Sequence, residues 1–296
     1  MVMSRPQSGI LAPVPRLARY LFFSWVPQAD PKKALKKLIP LVDGDSVVVG
    51  IGKSVVLTLG GDVDGLRVLV PQVGNGVDVP STPFALWCWI RGDDRGELLH
   101  LSHKIRSAVS SAFQVAQVID GFQFRDSRDL SGYEDGTENP EGDDAVAAAI
   151  VAGMGEGLDG SSFVAVQQWV HDLDQFESLS QCHKDHTFGR RLADNEEIED
   201  APDSAHVKRT AQEDFDPEAF VVRRSMPWAE GNREGLVFVA FGKSFDAFEA
   251  LLHRMMGYDD GVLDALFTFT QPVSGSYFWC PPMKDGQLDL RGVGLS

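Results

Sequence analysis

The chain has 296 residues, of which 43% are apolar and 24% are charged, so it can bury a large core and lacks the composition of a disordered protein. The excess of acidic residues gives a net charge of −16, which repels the phosphate backbone of nucleic acids. No apolar run approaches the roughly 18 residues that span a bilayer. We therefore expect neither a nucleic-acid partner nor a membrane segment.

The cysteines and the amino-terminal segment bear on the cellular compartment. Cys88, Cys182 and Cys280 are odd in number and far apart, which argues against the disulfide framework of a secreted domain. Residues 1–15 lack the apolar stretch and small-residue cleavage site of a secretory signal. These features predict a cytoplasmic protein.

The first half of the chain alternates short β-rich runs with amphipathic segments. Residues 32–41 have apolar positions at helical spacing after Asp30 and Pro31, which are typical of a helix start. Residues 97–113 repeat this helical pattern. The β-rich runs predict strands at 20–26, 46–51, 66–70, 84–90 and 115–124.

The second half begins after a segment rich in Gly, Asp and Glu, residues 132–160, which is the best candidate linker and contains a predicted short helix at 144–154. Residues 173–193 are helical in composition, and an amphipathic helix at 245–256 is opened by Ser244. Strands are predicted at 162–170, 220–223, 236–241 and 275–279.

Both halves run strand, helix, strands, helix, strand, without the strict alternation of a parallel doubly wound sheet. This order predicts the α+β class, with antiparallel sheets in a duplicated split βαβ arrangement. We place the amino-terminal domain at residues 1–145 and the carboxy-terminal domain at residues 146–296.

Three segments contain side chains suited to chemistry. Residues 132–140 surround Asp135 with turn formers, so the segment is either a plain acidic loop or a backbone that approaches a ligand closely. His206 follows an acidic loop, and a lone histidine is more often structural than a ligand. Arg223 and Arg224 end a strand, and the one that faces inward needs an anionic partner.

A fourth segment has a weak metal-binding pattern. Cys182, His183 and His186 stand at separations that a helix brings together, but no second cluster completes four ligands, so an exposed polar helix is favoured. The sequence has no P-loop, dinucleotide-binding glycine fingerprint or nucleophile elbow.

Three motifs follow one another along the chain: Gly132-x-x-Asp135-Gly136-Thr137-x-Asn139-Pro140, Ala205-His206-Val207-x-Arg209 and Arg223-Arg224-Ser225-x-Pro227. Together they resemble those of the dye-decolourising peroxidases, which bind haem b. Shorter matches lie at residues 6–10, 89–96 and 271–278, so the resemblance covers nearly the whole chain. The compact length is similar to that of the bacterial B-type branch.

The resemblance implies a role for each matched residue. His206 is the expected proximal ligand of the haem iron, while Asp135 and Arg223 are the expected distal pair facing the peroxide. Ser225 would complete the distal pocket, and Arg209 matches a position that neutralises a haem propionate.

Outside the matched motifs, Asp264 is our candidate for the carboxylate that accepts the other ring proton of His206. The resemblance also implies two ferredoxin-like domains, with one haem b per chain held mainly by the second.

The implied activity is that of a haem-dependent peroxidase. Such an enzyme reduces hydrogen peroxide to water through a ferryl intermediate and oxidises dyes, phenolic or other aromatic reductants. Bulky reductants require electron transfer to the surface, for which the candidates are Trp169, Trp228, Tyr258 and Trp279.

The alternative is a haem-binding or haem-handling protein, which needs His206 but neither Asp135 nor Arg223. The resemblance further implies a homo-oligomer, and residues 285–296 are similar to tails that bind an encapsulin shell.

Overall fold

The structure is a computed structural model that describes residues 4–295. Its helices are α1 (Pro31–Leu38), α2 (Lys53–Leu59), α3 (Arg95–Val109), α4 (Gly142–Ala149), α5 (Leu173–Ser178), α6 (Gln181–Phe188), α7 (His206–Arg209) and α8 (Asp246–Met255). Its longer strands are β1 (Leu17–Trp25), β2 (Val47–Ile51), β5 (Leu86–Gly92), β6 (Phe113–Phe122), β7 (Ser162–His171), β9 (Met226–Glu230), β10 (Arg233–Gly242) and β12 (Ser276–Cys280). The shorter strands are β3 (Gln72–Gly74), β4 (Val77–Val79), β8 (Val222–Arg223), β11 (Thr270–Pro272), β13 (Met283–Lys284) and β14 (Gln287–Leu288).

The two halves of the chain build antiparallel sheets with the same strand order. The first sheet is β2-β5-β1-β6, and α3 packs against β1, β5 and β6. The second sheet is β9-β10-β7-β12, and α8 packs against β10. If the strands of each sheet are numbered along the chain, their order across the sheet is second, third, first, fourth. This is the ferredoxin-like order. The predicted α+β class and duplicated arrangement are confirmed.

The two sheets join edge to edge at two narrow seams. One seam pairs Trp279 with Ile51, and the other pairs Gly121 with Trp228. Because β7 pairs with both β10 and β12, the eight strands of the two sheets close into a continuous ring. Side chains alternate along each strand, so one set fills the interior of the ring and the other packs beneath the helices.

The interior of the ring is an aromatic core. Tyr20, Trp87 and Trp89 come from the first sheet, while Phe241 and Phe278 come from the second, and all five are fully buried. Trp87 stacks on Phe278 with ring centroids 5.9 Å apart. The two halves therefore share one core in addition to the core that each half forms with its helices.

Local chemistry explains why α1 and α3 begin where they do. The side chain of Asp30 accepts a hydrogen bond from the backbone N–H of Lys32, with Pro31 in the first turn. The side chain of Asp94 accepts one from the backbone N–H of Glu97. In α1, the predicted helix at 32–41 is confirmed, although its last turn becomes a 3-10 helix.

The predicted strand at residues 66–70 is wrong. Leu66 and Leu69 are buried, whereas Val68 and Val70 are exposed, and the segment has no partner strand among the described residues. The neighbouring β3 and β4 instead form a hairpin, which the sequence analysis missed. Its turn is formed by Asn75 and Gly76, both with positive φ.

Three further elements differ from the predictions. The helical region at 173–193 is two helices, α5 and α6, because Ser180 caps the second one. The helix α2 and the strand β9 were not predicted from the sequence.

The predicted domain boundary after residue 145 lies inside α4. This division of the chain stays a prediction. Within residues 4–295 no helix is both long and apolar enough to cross a membrane.

Candidate active site

A cavity of about 560 Å³ lies on the outer face of the second sheet, beneath α8. Its apolar wall includes Leu236 and Phe238 from β10 and Phe248 and Leu252 from α8. Val237 and Val239 alternate with these β10 side chains and point into the ring interior. A mostly apolar cavity of this size with a few polar groups is typical of a cofactor or ligand site.

His206 is the first residue of α7 and lines this cavity. Its Nδ1 lies 2.8 Å from Oδ2 of Asp264, whose side chain is fully buried. The other carboxylate oxygen of Asp264 accepts the backbone N–H of Leu266 at 2.8 Å. With Nδ1 donating its proton to Asp264, the Nε2 atom keeps its lone pair available for a metal ion.

The loops that carry this pair are also joined through the backbone. The N–H of Ala265 donates to the carbonyl of Ser204 at 2.8 Å, so the two segments keep their spacing without the side chains. The structure therefore brings His206 and Asp264 together as the sequence analysis expects.

Asp135 and Arg223 line the same cavity. Burial raises the pKa of the Asp135 carboxyl above its usual value; the positive charge of Arg223 opposes this shift, and the nearby carboxylate of Asp129 adds to it. No ion pair within 4.0 Å joins Asp135 to Arg223 among the side chains that the structure describes. Asp135 therefore lines the cavity as a carboxyl group whose charged form is disfavoured by burial.

The loop that carries Asp135 is hydrogen-bonded to β8 through the side chain of Asn139. The Oδ1 atom of Asn139 accepts the backbone N–H of Arg223 at 2.8 Å, and its Nδ2 donates to the carbonyl of Arg223 at 3.1 Å. Gln212 makes a second connection, donating to the carbonyl of Glu138 and accepting from the N–H of Val221. Asn139, in the first sequence motif, thus positions the backbone of Arg223, in the third motif.

Arg209 and Ser225 lie elsewhere. Arg209 is buried, and its guanidinium donates two hydrogen bonds to Asp260, at 2.7 and 2.8 Å, and one to the carbonyl of Arg254. The Oγ atom of Ser225 accepts the N–H of Val239 at 3.4 Å. Neither residue lines the cavity. In this structure Arg209 ties α7 to the end of α8, so its expected propionate contact stays a prediction, as does the role of Ser225.

The cavity also contains a buried histidine that the sequence analysis missed. His171, at the end of β7, contacts Asp129 through Nε2 at 2.9 Å and Thr270 through Nδ1 at 2.6 Å. Although burial opposes it, the hydrogen bond from His171 lowers the pKa of Asp129. The alternation of side chains along β7 could have predicted its position. Val164 and Val166 face the ring interior, so the odd-numbered His171 faces the cavity side of the sheet.

The segment with the weak metal-binding pattern is α6. Cys182 and His183 are exposed there, and Nδ1 of His183 lies 2.8 Å from the hydroxyl oxygen of Ser180. A search of residues 4–295 finds no group of three or more His, Cys, Asp or Glu side chains suited to a metal ion. Cys182 and His183 therefore lie at the exposed, amino-terminal part of a polar helix.

Comparison with known proteins agrees with this geometry. The family described as "Dyp-type peroxidase, C-terminal" matches residues 126–285. A dye-decolorizing peroxidase of Mycobacterium tuberculosis is 33% identical over 244 residues, which are 80% of this chain and 73% of that protein. The chain belongs to the Dyp-type peroxidase family. It is a peroxidase of the dye-decolourising class.

Solved structures are similar over almost the whole chain. The structure of DyPB from Rhodococcus jostii RHA1 has 27% sequence identity and a TM-score of 0.86, with 94% of this chain and 97% of that chain covered. A dye-decolorizing protein from Vibrio cholerae has 26% identity and a TM-score of 0.82, with 93% and 96% covered. A further Rhodococcus jostii structure, of a DypB variant with 26% identity and a TM-score of 0.86 over 95% of this chain and 97% of that chain, is described as a complex with heme.

Proposed function

We propose that the cavity binds one haem b per chain, with His206 as the proximal ligand of the iron and Asp135 and Arg223 beside the peroxide. The chain is a haem-dependent peroxidase that reduces hydrogen peroxide to water and oxidises dyes, phenolic or other aromatic reductants. The observation that carries the proposal is the 2.8 Å contact between His206 and the buried Asp264 in the wall of an apolar cavity that also contains Asp135 and Arg223.

The residues present fit a haem. The wall is apolar where a porphyrin would pack, and among the described residues Nε2 of His206 has no hydrogen-bond partner. The Nε atom of Arg223 is also buried without a partner in that part of the chain. An unpaired buried donor costs free energy, so a site that leaves one there is suited to an acceptor from a bound group.

Each polar residue has a distinct task in this scheme. When bound, the haem supplies the iron and the electrons that reduce peroxide. The Asp135 carboxylate takes a proton from one peroxide oxygen and returns it to the departing oxygen. Arg223 stabilises the negative charge that develops as the oxygen–oxygen bond breaks. Asp264 makes the imidazole of His206 a stronger electron donor.

The alternative of a haem-handling protein is not favoured. A carrier needs an iron ligand but no peroxide chemistry, whereas this cavity also contains a carboxyl group with a raised pKa and the half-buried Arg223. The family to which the chain belongs is one of peroxidases.

The remaining assignments extend the proposal. We expect a cytoplasmic homo-oligomer that uses hydrogen peroxide and an aromatic or dye-like reductant. Of the four expected electron-transfer residues only Tyr258 is exposed, at 44%, whereas Trp169, Trp228 and Trp279 are buried.

Binding to an encapsulin shell stays a prediction. The side chains of Leu290, Val293 and Leu295 are buried in the core. Shell binding through residues 285–296 would therefore require the tail to leave these contacts.

The proposal is tested by haem content. We expect His206→Ala to lose stably bound haem, because the cavity would keep its shape but lack the iron ligand. His183→Ala and His186→Ala are matched controls on α6, and they should retain haem. Unchanged haem content and an unchanged ferric spectrum in His206→Ala would contradict the assignment, and loss of haem in the controls would point to α6 instead.

A further inference from the structure

Tyr133 lies between the cavity and the outer surface of the protein. Its ring is 3% exposed, lines the cavity and stacks on Phe188 with ring centroids 4.0 Å apart. Leu192 packs against the same aromatic cluster and, together with Gly132, lines an open hollow on the outer surface. Leu192 thus contacts the aromatic cluster that contains Tyr133 and also borders the outer hollow, while the Tyr133 ring borders the cavity.

The phenol of Tyr133 has a base within reach. Its hydroxyl donates a hydrogen bond to Oδ1 of Asp185, a half-buried residue of α6. The same oxygen accepts the side-chain N–H of Gln181 at 2.7 Å and the backbone N–H of Leu192 at 3.1 Å. Three donors hold the Asp185 carboxylate in place, so it is fixed as the acceptor of the Tyr133 proton.

This combination is particular to Tyr133 among the 4 tyrosines of the chain. Tyr20 is buried in the ring interior, and its hydroxyl has no partner among the described residues. Tyr277 donates to Glu249 at 3.1 Å but does not line the cavity. Tyr258 is exposed and also lies outside the cavity wall. Only Tyr133 both borders the cavity and donates to a carboxylate.

We propose that Tyr133 is the residue that relays single electrons from bulky reductants to the haem site, with Asp185 as the acceptor of its phenolic proton. The inference rests on the proposed function, because the peroxide-oxidised haem is the oxidant. Tyr133 loses one electron to that haem and its O–H proton to Asp185, which gives a neutral tyrosyl radical and a protonated carboxyl group. A reductant at the outer surface then donates one electron, and Asp185 returns the proton to the phenol.

Transfer of the phenolic proton to Asp185 makes it easier for Tyr133 to lose an electron. A phenol that has lost an electron is a strong acid, so a hydrogen-bonded carboxylate takes the proton without further movement of either side chain. Burial and the hydrogen bond to Asp185 raise the pKa of the resting Tyr133 phenol, so the phenol stays protonated until it is oxidised. The aromatic side chains packed around the Tyr133 ring are those of Phe176, Phe188 and Phe269, which are harder to oxidise than a phenol.

The test is electron paramagnetic resonance of the haem-loaded protein, frozen shortly after mixing with one equivalent of hydrogen peroxide and no reductant. We expect a tyrosyl signal that narrows when the tyrosine rings are deuterated and that is lost in Tyr133→Phe. The matched control, Tyr258→Phe, should keep the signal. An unchanged tyrosyl signal in Tyr133→Phe, or its loss in Tyr258→Phe alone, would overturn the relay.

Asp185 is tested with the same readout. Asp185→Asn removes the proton acceptor and should weaken the tyrosyl signal, whereas Asp185→Glu should restore it in part. A full signal in Asp185→Asn would exclude Asp185 as the acceptor. Haem content and thermal unfolding of each variant show whether it is folded and loaded, and for an Asp185 variant that does not fold, Tyr133→Phe still decides the electron relay.

The two proposals fail in different ways. If peroxide changes the ferric spectrum of the wild-type protein but no tyrosyl signal forms, the relay is wrong and the peroxidase site stands. If peroxide leaves the ferric spectrum of the loaded protein unchanged, the proposed function fails and the relay fails with it.

Discussion

The imidazole of His206 depends on one carboxylate for its chemistry. Asp264 is fully buried, yet it accepts hydrogen bonds from both His206 and the N–H of Leu266, so its charge is stabilised by two donors. A carboxylate at Nδ1 makes the ring a more basic ligand at Nε2 than a neutral partner would. The electronic state of a bound iron is therefore sensitive to this single side chain.

We predict that Asp264→Asn lowers haem affinity by about 10–100-fold and raises the reduction potential of the bound haem. The amide keeps an oxygen for the N–H of Leu266 but removes the negative charge behind the imidazole. Haem titration and spectroelectrochemistry measure the two effects. Asp174→Asn is a control at an exposed carboxylate of α5, and equal changes in both variants would show that charge behind His206 is not the cause.

The proposed role of Asp135 predicts a pH dependence for the peroxide reaction. Its pKa is raised by burial, and a general base works only when ionised, so the rate should rise with pH through that raised pKa and then level off. We predict that Asp135→Asn removes this acid limb from the rate at which peroxide changes the haem spectrum. An acid limb with the same midpoint in the variant would assign it to another group.

The same shift has a consequence for stability. A carboxyl group with a raised pKa in the folded state makes folding less favourable above its ordinary pKa, where the unfolded chain ionises freely. Below that ordinary pKa the group is protonated in both states and has no effect. Asp135→Asn should therefore not destabilise the haem-free protein at neutral pH.

At the scale of elements, the loop 132–140 and strand β8 act as one unit. Asn139 makes both hydrogen bonds that a neighbouring strand would make to Arg223, one at its N–H and one at its carbonyl. The short strand β8 pairs with β10 through only Val222 and Arg223. The position of the guanidinium therefore depends on the side chain of Asn139.

We predict that Asn139→Ala destabilises the protein by about 1–3 kcal/mol, because it removes the acceptor of the part-buried N–H of Arg223. It should also slow the peroxide reaction by misplacing Arg223. Asn139→Asp keeps the acceptor for the N–H of Arg223 and loses the donor, so its effects should be smaller. Denaturant unfolding measures the loss of stability, and stopped-flow spectroscopy measures the rate of the peroxide reaction. If Asn139→Ala reacts with peroxide at the wild-type rate, Asn139 does not position Arg223 for this reaction.

At the scale of the whole molecule, the two halves depend on a common interior. Trp87 from the first sheet contacts Phe241 and Phe278 from the second, and its side chain is fully buried. The seams between the sheets hold one residue pair each, and the shared aromatic core adds buried apolar surface that stabilises their association.

We predict that Trp87→Ala costs about 3–5 kcal/mol of unfolding free energy and that the protein unfolds in one transition. Val73→Ala, at a side chain that is 74% exposed, is the control and should change stability by less than about 0.5 kcal/mol. Two separate transitions in the wild-type protein, with only one of them moved by Trp87→Ala, would show that the halves fold independently.

Much of this architecture could be predicted because the strands and helices have clear periodicities and end at turn residues. The order of elements therefore predicted the duplicated fold. The seams could not be predicted, since a contact between Ile51 and Trp279 leaves no periodic signal. Residues 66–70 were misassigned because a β-rich composition does not supply a partner strand.

The residues of the candidate active site were also predictable only in part. His206, Asp135 and Arg223 belong to motifs, and all three line one cavity, with Asp264 in contact with His206. Arg209 could not be placed, because its pairing with Asp260 depends on how the segment after α8 folds back. His171 was overlooked because its partners, Asp129 and Thr270, are distant in sequence.

The central claim is that Asp135 and Arg223 cleave peroxide at a haem held by His206, and stopped-flow spectroscopy of the haem-loaded protein tests it most directly. The rate at which hydrogen peroxide changes the ferric spectrum is compared between the wild type and the double variant Asp135→Asn, Arg223→Leu. The account predicts that the double variant still binds haem but reacts at least about 10²-fold more slowly. A double variant that reacts at the wild-type rate would contradict it.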